Sequence, residues 1–168
     1  MELTRPVFFV GFMGAGKTSV ARRLARTCGA ASVDMDTYIE RREGKKVKEI
    51  FAEGGEEGFR AIETDVLREL GAKPDPLLIS CGGGVVKDPA NLRALHANGI
   101  VLFIDRPLED LLVGGGRPLS TSPEALKTME AQRRPLYLAA ADAVIPNKTT
   151  PADAVTAAME ALDEIFSH

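Results

Sequence analysis

The sequence predicts an α/β fold, a parallel β-sheet flanked by helices, and three observations predict it. Short apolar, β-rich runs alternate with longer helical stretches from end to end, the order that winds a parallel sheet through crossover helices. One of those runs, Ile100-Val101-Leu102-Phe103-Ile104, is apolar without alternation, as a strand covered on both faces must be. Near the N-terminus, Gly11-Phe12-Met13-Gly14-Ala15-Gly16-Lys17-Thr18 fits G-x-x-x-x-G-K-[ST], a loop that joins a strand to a helix and cradles phosphate. At 168 residues the chain is read as one domain, 1–168, a size that buries about 70% of its unfolded surface.

Val7-Phe8-Phe9-Val10 reads as the first buried strand, because it is short, apolar and β-rich. A helix then begins near Lys17. Val20, Leu24 and Cys28 recur at four-residue spacing among Arg22, Arg23 and Arg26, and Gly29 caps it. Ala31 to Asp36 is predicted as a second strand ending in two carboxylates, followed by a polar helix from Thr37 to Glu43 that Gly44 stops. Val47, Ile50 and Phe51 give a further helical turn, broken at Gly54-Gly55. From Glu56 a long helix runs to about Leu70, with Phe59, Ile62, Val66, Leu67 and Leu70 on one side; Gly71 and Pro74 end it. Pro76 to Cys81 is the third strand, Pro89 to Ala97 a helix ended by Gly99, and Ile100 to Asp105 the fourth strand. Pro107 to Leu112 starts a helix that gives out at Gly114-Gly115-Gly116, and the segment 113–122 is expected to be a mobile lid. A long helix from about Pro123 to Ala140, a fifth strand Ala143 to Ile145 and a closing helix Pro151 to Phe166 complete the chain.

Composition narrows the function classes. With 45% hydrophobic and 27% charged residues the chain has the make-up of an ordinary soluble domain. A net charge of −3 argues against a nucleic-acid partner, which usually demands a basic excess. Cys28 and Cys81 are too few for a disulfide framework or a metal site and are expected to be reduced thiols. His96 and His168 have no companion ligands nearby and are read as surface residues. No stretch approaches the roughly 20 apolar residues of a membrane span, and Met1 to Pro6 lacks a signal-peptide core. A cytoplasmic chain, with no membrane partner, is expected.

The chemistry gathers at the carboxyl ends of the strands, where open parallel sheets bind ligands. Those ends hold Gly11 to Thr18, Asp34 with Asp36, Gly82-Gly83-Gly84, Asp105 with Arg106, and Asn147. In the loop, glycines bring backbone N–H groups close to an anion. Lys17 is suited to the β- and γ-phosphates of a nucleotide and Thr18 to Mg²⁺. Asp34 and Asp36, two apart on a strand, are expected to share one face, one carboxylate serving the metal and the other the hydroxyl that attacks phosphorus. Ser80 stands where nucleotide hydrolases often carry an acidic ligand, so contact with metal from that strand is expected through water. The three glycines that follow present N–H groups to an anionic or hydroxylated substrate. Arg60 and the pair Arg133-Arg134 suit a carboxylate, and Arg117, on its glycine-hinged segment, suits charge that develops during phosphoryl transfer.

Taken together, G-F-M-G-A-G-K-T, D-M-D, G-F-R at Gly58 to Arg60, G-G-G, R-P-L at Arg117 to Leu119 and R-R-P-L-Y resemble the shikimate kinase family in order and spacing, over about Val7 to Asn147. The resemblance implies a five-stranded parallel sheet of the P-loop nucleoside monophosphate kinase class, and transfer of the γ-phosphoryl of ATP to the 3-hydroxyl of shikimate. It implies a nucleotide site of Gly14, Ala15, Gly16, Lys17, Thr18, Ser19, Arg117 and Asn147, with Mg²⁺ at Thr18 and Asp34. Shikimate falls to Asp36, Arg60, Gly82, Gly83, Gly84 and Arg133, with Phe51 and Phe59 as walls. Lys17, Asp36 and Arg117 are the implied catalytic set, and a monomer is expected. A gluconate-type kinase is the nearest rival. A GTP-binding switch is disfavoured, because in Asn147-Lys148-Thr149-Thr150 a threonine replaces the aspartate that would read guanine.

Overall fold

The computed structural model describes residues 2–113, 122–148 and 150–167. The lid predicted at 113–122 therefore lies almost wholly outside the described residues, and Arg117 and His168 lie outside them too. Five strands, β1 (Val7–Val10), β2 (Ala31–Asp34), β3 (Leu77–Ser80), β4 (Ile100–Asp105) and β5 (Ala143–Pro146), form one sheet in the order β2-β3-β1-β4-β5. All four pairings are parallel. The sequence requires the centre it gets: every residue of β1 is fully buried, as is most of β4. An apolar strand with no alternation has no face to offer water.

Around the sheet run α1 (Lys17–Cys28), α2 (Met35–Glu43), α3 (Val47–Gly71), α4 (Pro89–Asn98), α5 (Leu108–Val113), α6 (Pro123–Ala140) and α7 (Pro151–Phe166). Helix α1 packs on α7 and against β3, while α3 packs on α4, and α4 and α6 meet β4. The buried stripe Val20, Ala21, Leu24 and Ala25 of α1 matches its amphipathic pattern, and Gly29 ends it in a left-handed cap. Because β1 is flanked by β3 on one side and β4 on the other, its carboxyl end lies where the winding reverses, the place where such sheets open a crevice.

Two predicted boundaries move. The second strand stops at Asp34 and not Asp36: Asp34 is extended (φ −88°, ψ 117°), its carboxylate accepts from Thr37 N, and the chain is helical from Met35. The D-x-D pair is thus split across a strand–helix junction, and the two-residue strand spacing expected to align the pair does not apply. The second shift concerns α3, which runs on through Gly54. The break falls at Gly55, whose φ of 66° and ψ of −171° kink the helix, so the predicted interruption is real but is one residue wide. The thiols of Cys28 and Cys81 are free. Among the described residues no helix is long and apolar enough to cross a membrane.

Candidate functional site

The glycine loop leaves β1 at Gly11 and enters α1 at Lys17. Gly16 is held at φ 97°, and a Cβ there would lie 2.6 Å from Asn147 Nδ2, so glycine is needed both for the turn and for the approach of Asn147. Asn147 Nδ2 donates to the Ala15 carbonyl (2.8 Å), and Arg106 Nη1 donates to the Gly14 carbonyl (2.9 Å). The loop is therefore braced from β4 and β5. No acidic residue occupies the first turn of α1, which leaves the positive helix end free to meet an anion. Lys17 is buried, its Nζ donating to the Gly11 carbonyl (2.5 Å). Burial drives its pKa down from 10.5 to about 8, against the pull of Cys81, Asp36 and Asp34. Thr18 Oγ1 stands 3.0 Å from Ser80 Oγ, and both line a cavity of about 270 Å³ with Asp34.

Across from the loop, Asp36, Arg60, Glu63 and Arg133 converge on Gly82-Gly83-Gly84. A Cβ at Gly82 would lie 3.3 Å from Asp36 Oδ1 and 3.5 Å from Glu63 Oε2; one at Gly83 would lie 3.4 Å from Arg133 Nη1 and 3.6 Å from the Met13 amide. At Gly84 it would overlap the Arg60 guanidinium. Helix α3 delivers Arg60 and Glu63 one turn apart, joined by a 2.8 Å ion pair with the carboxylate fully buried. Helix α6 delivers Arg133, whose guanidinium lies 6.0 Å over the ring of Phe12 in the glycine loop. Tyr137, one turn on, donates its hydroxyl to the Gly83 carbonyl, and Arg134 clamps Asp105 of β4 with two bonds of 2.9 and 2.7 Å. Both clamps fix the helix that carries Arg133. Asp36 Oδ1, Arg60 Nε and Glu63 Oε2 are buried without a hydrogen-bond partner among the described residues. Three orphaned polar atoms around one glycine turn are what a polar ligand would satisfy. Desolvation raises the carboxyls of both Asp36 and Glu63 above their ordinary values.

The family model for shikimate kinase matches residues 13–163. The chain belongs to the shikimate kinase family. Shikimate kinases from Parasynechococcus marenigrum and Halorhodospira halophila are 41% and 42% identical to it, over 88% and 83% of this chain and 80% and 82% of theirs. Among solved structures, the shikimate kinase of Acinetobacter baumannii in complex with shikimate superposes with a TM-score of 0.84 at 35% identity, covering 97% of this chain and 93% of that one. A gluconokinase from Sinorhizobium meliloti shares the fold at a TM-score of 0.65 but only 16% identity, over 98% of this chain and 95% of that one.

Of the residues that the shikimate kinase resemblance singled out, Asp36, Arg60, Gly82, Gly83, Gly84 and Arg133 meet in one cleft with the glycine loop. Phe51 and Phe59 stack at 4.6 Å beside Arg60. Asp34 lines a cavity with Thr18 and Ser80, one of its oxygens accepting from Thr37. Asn147 is bonded to the loop itself. Sequence reasoning passed over Glu63 and Asn91, both fully buried. Glu63 carried a signal, since a carboxylate three residues after Arg60 interrupts the apolar side of its helix. Asn91 carried none.

Proposed function

We propose that this shikimate kinase transfers the γ-phosphoryl group of ATP to the 3-hydroxyl of shikimate across the cleft between the glycine loop and Gly82-Gly83-Gly84, giving shikimate 3-phosphate and ADP. The observation that carries the reading is the set of unpartnered buried atoms at that turn, Asp36 Oδ1, Arg60 Nε and Glu63 Oε2. Acceptors for hydroxyls and a donor for a carboxylate, ringing one small space, suit a hydroxylated acid. Arg60 and Arg133 grip the carboxylate from two helices, which fixes the ring. Asp36 accepts the proton of the attacking hydroxyl as the O–P bond forms and ADP leaves. Lys17 and the backbone of Gly14, Ala15, Gly16, Thr18 and Ser19 hold the phosphates, Asn147 keeps that loop in shape, and Arg117 supplies a further cation.

The donors present fit Mg²⁺, which takes one or two protein oxygens and completes its shell with phosphate and water. Among the described residues no group of three or more potential ligands is poised for a metal, whereas the Thr18 hydroxyl and the Asp34 carboxylate border one cavity. Mg²⁺ held by those two residues would supply positive charge to the phosphates during transfer. The enzyme is read as a cytoplasmic monomer with no nucleic-acid or membrane partner. The direct test is ADP release by purified protein with shikimate, with gluconate and with no acceptor. Turnover with gluconate and not with shikimate would overturn the reading.

Two variants probe the carboxylate grip. Arg133→Ala is expected to raise the KM for shikimate steeply while ATP still binds, because a lost charge-assisted contact costs about 2–5 kcal/mol; an unchanged KM removes Arg133 from the site. Gly84→Ala is expected to act on the same parameter without touching either arginine. Its methyl would displace the guanidinium of Arg60 and strain its ion pair with buried Glu63, so the Tm should fall as well, while the KM for ATP stays near wild type. A KM for shikimate equal to wild type in the folded variant would show that Arg60 is not needed where it stands.

A further inference from the structure

We infer that Asn91 of α4 is a positioning residue for the acceptor substrate: its buried carboxamide fixes Glu63, and through Glu63 the guanidinium of Arg60. The inference rests on the reading that Arg60 grips the shikimate carboxylate.

Asn91 is fully buried, and both polar atoms of its side chain are hydrogen-bonded. Nδ2 donates to Glu63 Oε1 (2.7 Å) and to the Val85 carbonyl (3.1 Å). The Val85 carbonyl can only accept, so the atom facing it must be the amide nitrogen, and the amide can be oriented only one way. Oδ1 then accepts from the Thr64 hydroxyl. One side chain thus ties α4 to α3 and to the 3-10 turn Val85–Lys87 that follows the glycine triplet. Glu63 Oε1 receives two donors, Asn91 Nδ2 and Arg60 Nη1 (2.8 Å). Those two bonds pin the carboxylate, which in turn holds Arg60 with its Nε unpartnered beside Gly84. Arg60's other partner, Glu56, is half exposed and 3.4 Å away. The buried arm sets the direction of the guanidinium; the exposed one is solvated and weak.

The electrostatics of Glu63 give this role a signature that packing alone would not produce. The groups facing Glu63 are Arg60 on its own helix, Asp36 from α2 across Gly82, Cys81 at the end of β3 and Asn91 from α4. Burial favours the neutral acid, and the donors from Arg60 and Asn91 oppose it. A donor to an ionised carboxylate lowers its pKa, and losing that donor raises it. Without Asn91, Glu63 takes up a proton at higher pH and releases Arg60.

The experiment compares wild type with Asn91→Leu, Asn91→Asp and Arg60→Ala, measuring kcat, the KM for shikimate, the KM for ATP and the pH profile of kcat/KM for shikimate. In Asn91→Leu the KM for shikimate should rise about tenfold or more, the scale of a lost hydrogen bond to a charged group, while kcat and the KM for ATP stay near wild type. Its acid limb should move to higher pH. Asn91→Asp is nearly the same shape but donates to Glu63 only while the pair keeps a proton, so its kcat/KM should fall as pH rises, the opposite displacement. Should the leucine variant fail to fold, the aspartate profile decides. An unshifted profile and an unchanged KM for shikimate in a folded Asn91 variant, beside a raised KM in Arg60→Ala, would overturn the positioning role. An unchanged KM in Arg60→Ala would instead overturn the reading of Arg60, and the inference with it.

Discussion

Asp36→Asn is expected to lower kcat about 10²–10⁴-fold, the range of a positioned general base, while making the ligand-free protein more stable. Both effects have one origin. Asp36 Oδ1 is buried and unpartnered, and its carboxyl is raised above 3.8 by desolvation first and by Asp34 second. A carboxyl whose folded pKa is raised contributes its stability below the unfolded pKa and loses it as pH climbs through the folded one. At neutral pH the ionised group is therefore a cost to the fold. Asparagine keeps the shape and removes the charge, but it cannot take a proton from the attacking hydroxyl. Thermal melts of wild type and variant should coincide near pH 4 and separate as pH rises to 7, with the variant higher. Turnover at the wild-type rate would remove Asp36 from the chemistry. A variant less stable than wild type at pH 7 would mean that the carboxylate is satisfied within the fold.

The sequence made the sheet and its rim legible because both rest on strong, local signals. Continuous apolar runs specify buried strands, and the glycine loop can bind phosphate only between a strand and a helix, so Val7–Val10 and Lys17–Cys28 were located nearly to the residue. Where two local preferences compete, legibility ended. Ala31 to Asp36 contains a β-rich start and a capping aspartate, and the cap won: Asp34 satisfies Thr37 N and the helix begins two residues early. That contest decides function. The two carboxylates still act on one another and on Lys17, but they come from different elements: Asp34 closes β2 beside the cavity of Thr18, and Asp36 in α2 borders Gly82. Glu63 and Asn91 were missed for a different reason. Their partners are 27 and 28 residues apart in the chain and meet only when α3 packs on α4, so no local pattern encodes the contact. The resemblance already picks Arg133 over Arg134, but the partner that occupies Arg134 was not legible: Asp105 lies 29 residues away and meets it only in the tertiary structure, while Arg133 lies beside Gly83.

Lys17→Met should cost about 10²–10³-fold in kcat, the price of one preorganised charge at a transferring phosphoryl group, and wild-type Lys17 should be visible in the pH dependence of nucleotide use. Burial holds its pKa near 8 in the free protein. Bound phosphate favours the ammonium, so ATP binding above neutrality should take up a proton, measurable as a buffer-dependent enthalpy of binding. The parameter kcat/KM for ATP reports the free enzyme and should fall as pH rises through about 8, whereas kcat, which reports the bound state, should hold to higher pH. The stability effect has the sign opposite to that of Asp36. A lysine with a lowered pKa binds fewer protons folded than unfolded between about 8 and 10.5, so the fold gains stability through that window. Below it the buried ammonium is a cost that the Met variant no longer bears. A kcat/KM for ATP that stays level to pH 10 would mean that Lys17 keeps its proton in the free protein. The desolvated cation at the mouth of α1 would then be a wrong account of the loop.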